Sequence, residues 1–307
     1  MRILTLTLNP AFDTHCFTPV FRPDHENIAE IIACEAGGKG VNISRALRAF
    51  DGTVSNTALV VVGGENGETY LGKLREDGLC VQALTVPGRI RENLTLHQQN
   101  GPETRISFPG FRVDAALSAQ VAACVQKQTA AGDILTMTGS LPTGMDKENV
   151  MDLLADARDR GVRVVIDSRS FTRDDLFALR PWLVKPNEDE LAAYLGKSEV
   201  TSADVREAAA AWHAAGIENV MVSRGEKGAC LCTDDGWFTA SAPRIRALST
   251  IGAGDSSVAG FVWAFASGKR AEECLRAAVA FGSAACLTPG TNPPKKEDVL
   301  RFLSSIT

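Results

Sequence analysis

The sequence predicts an α/β fold in which a mostly parallel β-sheet carries helices on both faces and a small β-sheet projects from it. Short apolar runs alternate with helix-length amphipathic segments over most of the 307 residues. That alternation is typical of parallel sheets built from β-α-β units. Two regions of strand-like alternation, 11–34 and 89–109, interrupt the rhythm and account for the small sheet.

The N-terminal part starts with a predicted strand over 3–8 that runs into Asn9-Pro10. Helices are predicted after the glycines at 37–40 and over 66–78, and a buried strand is predicted over 57–62. The alternating runs 91–99 and 104–108 flank Asn100-Gly101, the residue pair of a tight hairpin. We therefore expect this hairpin to lie in the projecting sheet.

From residue 113 onward the β-α rhythm is regular and predicts most of the main sheet. The predicted strands are 134–138, 162–167, 183–185 and 220–223, with a closing hairpin over 228–240. The predicted helices are 114–129, 146–160, 188–195, 202–215, 254–267, 271–286 and 296–305. The chain length by itself permits one domain or two.

Composition excludes several classes of protein. The chain is 45% hydrophobic and 22% charged with a net charge of -5 and no basic runs, which argues against nucleic acid or a membrane surface as the main partner. No apolar run approaches the ~18 residues of a membrane span, and the first residues do not read as a signal peptide. Eight cysteines without a C-x-x-C pair predict reduced thiols in a cytoplasmic enzyme.

The strongest local signal is Gly252-Ala253-Gly254-Asp255, directly before an apolar helix. Glycines at a helix N-terminus free backbone N–H groups to face an anion, and the helix dipole favours that charge. The pattern predicts a phosphate site, although Asp255 as a simple helix cap is the alternative. Neither a dinucleotide fingerprint nor a P-loop is present, because the glycines lack the required spacing.

Three further clusters follow strands or precede helices. Gly37-Gly38-Lys39-Gly40-Val41-Asn42 places Lys39 and Asn42 near a polar ligand, or else forms a turn with an exposed lysine. Asn187 and Glu190 follow the strand at 183–185, where a hydrated Mg²⁺ or a helix capping box explains them equally well. Residues 223–228 form either a nucleotide phosphate loop or a plain turn.

Together these clusters resemble the ribokinase-like, or PfkB, family of carbohydrate kinases over nearly the whole chain. The two family signatures are Gly37 to Asn42 and Gly252 to Asp255. Other segments are similar to the branch of 1-phosphofructokinases and tagatose-6-phosphate kinases. These segments are Thr5-Leu6-Thr7-Leu8-Asn9-Pro10-Ala11-Phe12-Asp13, Arg91-x-Asn93, Gly139-Ser140-Leu141-Pro142 and Trp182-Leu183-Val184-Lys185-Pro186-Asn187.

The resemblance implies a role for each matching residue. The sugar phosphate would be held by Asp13, Gly38, Lys39, Asn42, Arg91, Asn93 and Ser140, with Lys39 and Arg91 gripping its phosphate. ATP would contact Lys185, Asn187, Ser223, Arg224, Gly225, Gly228, Gly282 and Ser283. Mg²⁺ would be organised by Asn187 and Glu190. Gly252, Ala253 and Gly254 would form an anion hole, and Asp255, ionised with a pKa of about 4, would be the catalytic base.

The resemblance also implies one ribokinase-like domain over 1–307, with 11–34 and 89–109 as a lid and dimer interface. Two positions depart from the branch: Thr95 stands where a lysine is usual, and Ser107-Phe108-Pro109-Gly110 lacks an asparagine. Both lie in the lid, so they affect the choice of sugar and leave kinase chemistry intact.

Three functions follow from these residues. The first is an ATP-dependent kinase of a ketohexose phosphate, with fructose 1-phosphate ahead of tagatose 6-phosphate and fructose 6-phosphate. The second is a kinase of an unphosphorylated sugar or nucleoside, against which Arg91 argues because a second cation suits an anionic substrate. The third is a non-catalytic sensor, which would have no need of the base Asp255.

Overall fold

The computed structural model describes residues 1–306 of the chain. The strands are β1 Ile3–Thr7, β2 Ala11–Thr18, β3 Glu30–Gly37, β4 Asn56–Gly63, β5 Val81–Val86, β6 Arg91–Gln98, β7 Thr104–Ser107, β8 Ile134–Thr138, β9 Arg163–Asp167, β10 Leu183–Val184, β11 Asn219–Ser223, β12 Ala229–Thr233 and β13 Gly236–Ala240. The helices are α1 Lys39–Phe50, α2 Gly67–Glu76, α3 Ala115–Gln128, α4 Lys147–Asp159, α5 Arg173–Leu179, α6 Glu188–Leu195, α7 Ser202–Ala214, α8 Ala253–Ala266, α9 Ala271–Ala285 and α10 Lys296–Leu303.

The main sheet has nine strands in the order β13-β12-β11-β10-β9-β8-β1-β4-β5. Every neighbouring pair from β11 to β5 is parallel, and the antiparallel pairs are β11–β12 and β12–β13 at one edge. The predicted α/β fold with a mostly parallel sheet is therefore confirmed. Because parallel strands end at the same edge, the segments that follow them meet there.

The main sheet is covered on both faces. In β1, Leu4 and Leu6 belong to one buried apolar cluster, whereas Ile3 belongs to the other. Side chains of a strand point alternately to its two faces, so this division marks the two sides of the sheet. Helices α2 to α7 contribute buried side chains to the first cluster, and α8 to α10 contribute theirs to the second.

The small sheet has the order β3-β2-β6-β7, with β2 and β6 parallel and the outer pairs antiparallel. This confirms the smaller separate sheet expected from the interrupted rhythm. Strand β3 continues to Gly37, beyond the expected boundary at residue 34, because Gly37 is paired with Ala11 at the start of β2. The sheet thereby reaches the first glycine signature and the start of α1.

Two elements were not predicted. Strand β5 is a sheet edge with exposed Gln82 and Thr85, so it lacks the apolar run of the central strands. Helix α5 has only seven residues and is stabilised by a capping box between Thr172 and Asp175.

Within the described residues, no helix combines the length and the apolar character needed to cross a bilayer.

Candidate active site

A large cavity of about 1430 Å³ lies between the two sheets, over the carboxyl ends of the parallel strands. The main sheet contributes Asp167 and Lys185 from the ends of neighbouring strands, while the small sheet contributes Asp13, Arg91 and Asn93. Carboxyl ends of strands are where open α/β sheets bind ligands. The topology thus brings residues of both sheets to one ligand-binding space.

Helix α8 points its N-terminus into this cavity. Its N-cap, Gly252, has φ +76°, a left-handed conformation that glycine adopts without steric cost. Among the described residues no side chain caps the start of this helix. The N–H of Ala253 donates to the carbonyl of Thr250 at 3.4 Å, so the N–H groups available to an anion begin at Gly254, which lines the cavity. Uncapped N–H groups and the helix dipole together make an anion-binding position.

Asp255 follows this helix start and is 6% exposed. Its Oδ2 accepts a hydrogen bond of 2.8 Å from Nδ2 of Asn42, a residue of α1. Gly252, not Asp255, occupies the cap position, so the interpretation of Asp255 as a helix cap does not hold. The carboxylate is instead held in place at the edge of the anion-binding position, as a base would be.

The expectation of an ordinary pKa for Asp255 is wrong. Burial raises the pKa of this carboxyl to about 6, because a desolvated carboxylate loses favourable hydration. The nearby ammonium of Lys39 offsets part of that effect, whereas the negative charge of Asp167 adds to it. Asp255 is still mainly ionised at pH 7, and it is a stronger base than an exposed aspartate.

Asp167 is a central site residue that the sequence interpretation missed. It ends β9, is 4% exposed, and lies 3.2 Å from Nζ of Lys39 and 3.5 Å from Nζ of Lys185. Burial alone would raise the pKa of Asp167, but the two ammonium groups outweigh it and hold the pKa below its usual range. An acidic residue at the carboxyl end of a buried strand was the signal available for finding it.

The two lysines therefore lie at the α8 end of the cavity. A Cβ placed on Gly254 would lie 3.2 Å from Nζ of Lys185, so Lys185 borders the anion-binding position. Burial would lower the pKa of Lys39, but the carboxylates of Asp167, Asp255 and Glu190 outweigh it and raise the pKa. Both groups are cations where a phosphoryl group would be transferred.

Arg91 occupies a different part of the cavity. Its guanidinium donates to the backbone carbonyls of Asn9 at 3.4 Å and Phe108 at 3.3 Å, and its buried Nε has no partner among the described residues. Burial lowers the pKa of Arg91, with Asp13 opposing that shift. Arg91 and Lys39 thus contact different groups, and a grip shared by both on one phosphate stays a prediction.

Asp13 and its neighbours complete the end that faces the small sheet. Nδ2 of Asn93 donates to Oδ1 of Asp13 at 2.9 Å, and burial raises the pKa of Asp13. A Cβ on Gly37 would overlap the Asp13 carboxylate, so only glycine fits there. Ser140 accepts a 3.0 Å hydrogen bond from Nδ2 of Asn9 and also lines the cavity.

The predicted nucleotide residues lie on the opposite side. Gly282 and Ser283 of α9, together with Gly225 and Gly228, line the cavity. The strand ends at Asn187 and Ser223 are neighbours in a parallel bridge, and the N–H of Ser223 donates to the carbonyl of Pro186 at 3.0 Å.

Arg224 was predicted to contact ATP, but its side chain does not line the cavity, so this contact stays a prediction. Its Nε donates to Glu188 at 2.8 Å and its Nη2 to Ser202 at 2.8 Å. Lys227 also pairs with Glu188, at 3.4 Å. These contacts attach residues 223–228 to the starts of α6 and α7.

Glu190 and Asn187 form the capping box that was the alternative to a metal site. Oδ1 of Asn187 accepts from the N–H of Glu190 at 2.7 Å, and Oε2 of Glu190 accepts from the N–H of Asn187 at 3.1 Å. Oε1 of Glu190 also accepts from Arg169 at 2.8 Å, and all three side chains line the cavity. The described residues contain no group of three acidic, histidine or cysteine side chains suited to a metal.

Fold and site together define a class: ribokinase-like α/β kinases, with an anion-binding helix start beside a held carboxylate. A model of the pfkB family of carbohydrate kinases matches residues 7–298. The chain belongs to this family, and the resemblance seen in its two glycine signatures is confirmed.

Proteins of the same family are similar over almost the full chain. The 1-phosphofructokinase of Vibrio cholerae is 30% identical over 97% of this chain and 93% of its own length. The 1-phosphofructokinase of Rhodobacter capsulatus is 34% identical over 100% and 97%. The crystal structure of phosphofructokinase-2 from Escherichia coli in complex with substrates and products has a TM-score of 0.92 at 31% identity, covering 99% of each chain.

Proposed function

We propose that the protein transfers the γ-phosphoryl group of ATP to a ketohexose phosphate, with fructose 1-phosphate converted to fructose 1,6-bisphosphate. The observation that carries this proposal is Asp255, held by Asn42 beside the uncapped start of α8. The names of the relatives support the choice of sugar. Phosphorylation of fructose 6-phosphate is the second candidate, because the Escherichia coli neighbour is a phosphofructokinase-2, and tagatose 6-phosphate is the third.

In this proposal Asp255 accepts the proton of the attacking hydroxyl while the hydroxyl oxygen bonds to the γ-phosphorus and ADP leaves. The N–H groups from Gly252 to Gly254 stabilise the charge on the transferring group. Lys185, and Lys39 beside it, add positive charge at that end. Arg91 and Asn93 bind the phosphate that the acceptor already carries, since guanidinium groups suit phosphate oxygens, and Lys39 as a second cation for that phosphate stays a prediction.

The choice among sugars is tested by a coupled assay of ADP release. Fructose 1-phosphate, fructose 6-phosphate and tagatose 6-phosphate are compared at equal ATP and Mg²⁺. We expect the highest kcat/KM for fructose 1-phosphate and much lower values for free fructose. Absence of turnover with all three phosphates would overturn the proposed function, and a preference for free sugars would favour the second hypothesis from the sequence.

The buried base predicts a pH profile. Because burial raises the pKa of Asp255 to about 6, the carboxyl becomes protonated as the pH falls through that value. A protonated carboxyl cannot accept the proton of the attacking hydroxyl. We expect kcat to be level above pH 7 and to fall about tenfold per pH unit well below 6. Measurement of kcat from pH 5 to 8.5 at saturating substrates checks this, and a level profile down to pH 5 would contradict it.

Mg²⁺ is the metal that this site fits. One carboxylate and one amide at the cavity wall suit a hydrated ion that also binds phosphates, since Mg²⁺ keeps much of its water. Glu190 and Asn187 would orient that hydrated ion, which when bound would neutralise charge on the ATP phosphates.

Glu190→Gln is expected to raise the Mg²⁺ concentration needed for half-maximal rate. Gln keeps an oxygen that accepts from the N–H of Asn187, so the helix cap and the Tm should change little. Initial rates over a Mg²⁺ series check the first effect and thermal unfolding checks the second. A lower Tm with an unchanged Mg²⁺ dependence would assign Glu190 to capping alone.

We further propose that the whole chain acts as one domain in the cytoplasm, with the small sheet as a lid that also forms a homodimer interface. All eight cysteines are free. Large exposed apolar side chains concentrate on the small sheet and its loops. These are Val20, Ile28, Ile31, Ile32, Ile106 and Phe108.

The dimer proposal predicts the behaviour of the protein in solution. Exposure of an apolar patch of this kind to water is unfavourable. A second copy of the chain in a two-fold dimer is the commonest way to bury such a patch. We expect sedimentation to show a dimer at micromolar concentration. Ile31→Glu should shift the protein toward monomer, whereas Leu248→Glu, an exposed leucine in the segment before α8, should not. A wild-type monomer at that concentration would contradict the proposal.

A further inference from the structure

A carboxylate of the small sheet is bonded directly to a loop of the main body. Oε2 of Glu35, on β3, accepts 2.6 Å and 3.2 Å hydrogen bonds from Oγ1 and the N–H of Thr291. The two residues are 256 positions apart in the chain, and Thr291 is 6% exposed. Two hydrogen bonds to one carboxylate oxygen, at a buried partner, form a stronger link than an exposed contact would.

The link joins the two halves of the candidate site. In the small sheet Glu35 lies directly opposite Asp13, and Asp13 lies opposite Asn93, so the three share one row across β3, β2 and β6. In the main body, Cα of Thr291 would lie 3.8 Å from a Cβ on Gly252, the N-cap of α8. Glu35 therefore connects the row that faces the acceptor to the start of the anion-binding helix.

Glu35 is not needed to anchor its own strand. The end of β3 is already held by the hydroxyl of Tyr70, which donates to the carbonyl of Gly37 at 2.7 Å, and by Arg45, which donates to the carbonyl of Ala36 at 2.5 Å. Both anchors attach β3 to the α1 and α2 side of the molecule. The contact with Thr291 is a separate attachment on the α8 side.

We propose that Glu35 and Thr291 form a positioning pair that sets the acceptor hydroxyl at the correct distance from the anion-binding N–H groups. The inference rests on the proposed function and adds two residues to it. Transfer rates depend steeply on the approach of the reacting atoms, so a small displacement of the acceptor row slows transfer. A loosened row also admits water, and water in place of the sugar hydroxyl converts phosphoryl transfer into ATP hydrolysis.

The test uses the intact enzyme and two readouts, sugar bisphosphate formed and ADP formed. Thr291→Val removes the hydroxyl at nearly constant volume, and Glu35→Ala removes the acceptor. We expect each to lower kcat for sugar phosphorylation at least about tenfold, since Thr291→Val removes one charge-assisted hydrogen bond and Glu35→Ala removes both. Each should also raise the ratio of ADP to sugar bisphosphate above one. KM for ATP should not change. Thr291→Ser, which keeps the hydroxyl, should restore both readouts.

Glu76→Gln is the control, since Glu76 is an exposed carboxylate at the end of α2, outside the small sheet and the cavity; it should behave as wild type. Unchanged kcat and product ratio in folded Thr291→Val and Glu35→Ala would overturn the inference. So would a loss of kcat that Thr291→Ser does not restore. If wild type phosphorylates none of the three sugar phosphates, the proposed function fails first; normal wild-type turnover with unaffected variants removes only the positioning pair.

Discussion

Asp255→Asn is expected to lower kcat by at least ~10²-fold, the lower end for a general base. Asn keeps the size of Asp and can still accept the hydrogen bond from Asn42, but it has no basicity. KM for ATP should be nearly unchanged, because the N–H groups at the start of α8 are untouched. Single-turnover and steady-state rates of ADP formation measure the effect.

The matched control is Asp146→Asn, at the N-cap of α4, where the Asp side chain accepts from the N–H of Glu148. Asn caps helices as well as Asp does, so this variant should keep wild-type kcat. Retention of more than about a tenth of kcat by Asp255→Asn would mean that another group takes the proton, since a base contributes about 10² or more.

Asp255→Asn should also unfold at no lower temperature than wild type above pH 6. Because the folded-state pKa is raised to about 6 from 3.8, the stabilising contribution of the protonated carboxyl is present below the unfolded-state value. It is lost as the pH rises through 6. At neutral pH the wild-type fold therefore buries a costly charge that Asn does not carry.

Arg91→Ala is expected to raise KM for the sugar phosphate by about 10- to 150-fold, which corresponds to one charge-assisted contact with a phosphate. KM for ATP should stay near the wild-type value, because Arg91 lies on the side of the small sheet, away from Gly282 and Ser283. Initial-rate measurements that vary one substrate at a time separate the two constants. Equal increases in both would refute the assignment.

Arg89→Ala provides the control for this change. Arg89 lies two residues earlier, is 60% exposed and pairs with Glu92 rather than lining the cavity. An exposed pair of this kind contributes little to stability. A second check uses free fructose: the Arg91→Ala penalty should disappear with a substrate that carries no phosphate.

The fold could be predicted from the sequence where burial controls the pattern. Central strands such as β8 and β9 have an apolar centre and are buried along almost their whole length, and the helices between them have clear starts and ends. Strand β5 was missed because an edge strand needs no continuous apolar run. Helix α5 was missed because seven residues are too few to show a helical period. The capping box of α5, formed by Thr172 and Asp175, is nevertheless a recognisable sequence pattern.

The site could be predicted where a residue type and its local spacing identify the chemistry, as at Gly252 to Asp255. Contacts between segments that are distant in the chain could not be predicted in this way. Asp167 has no motif of its own, and its importance comes from Lys39 and Lys185 meeting it. The hydrogen bond of Arg224 to Glu188, 36 positions earlier, likewise has no local signal in the sequence.

The bond between Asn42 and Asp255 spans 213 positions of the chain. A ribosome adds about 5–20 residues per second, so roughly 10–40 s separate the synthesis of these two residues. Late in that interval the nascent chain contains Asp13, Arg91 and Asn93 but still lacks Asp255 and α8. Both edges of strand β1 can likewise be paired only after β8 has been synthesised. Prematurely terminated chains of this protein should therefore be inert rather than partially active.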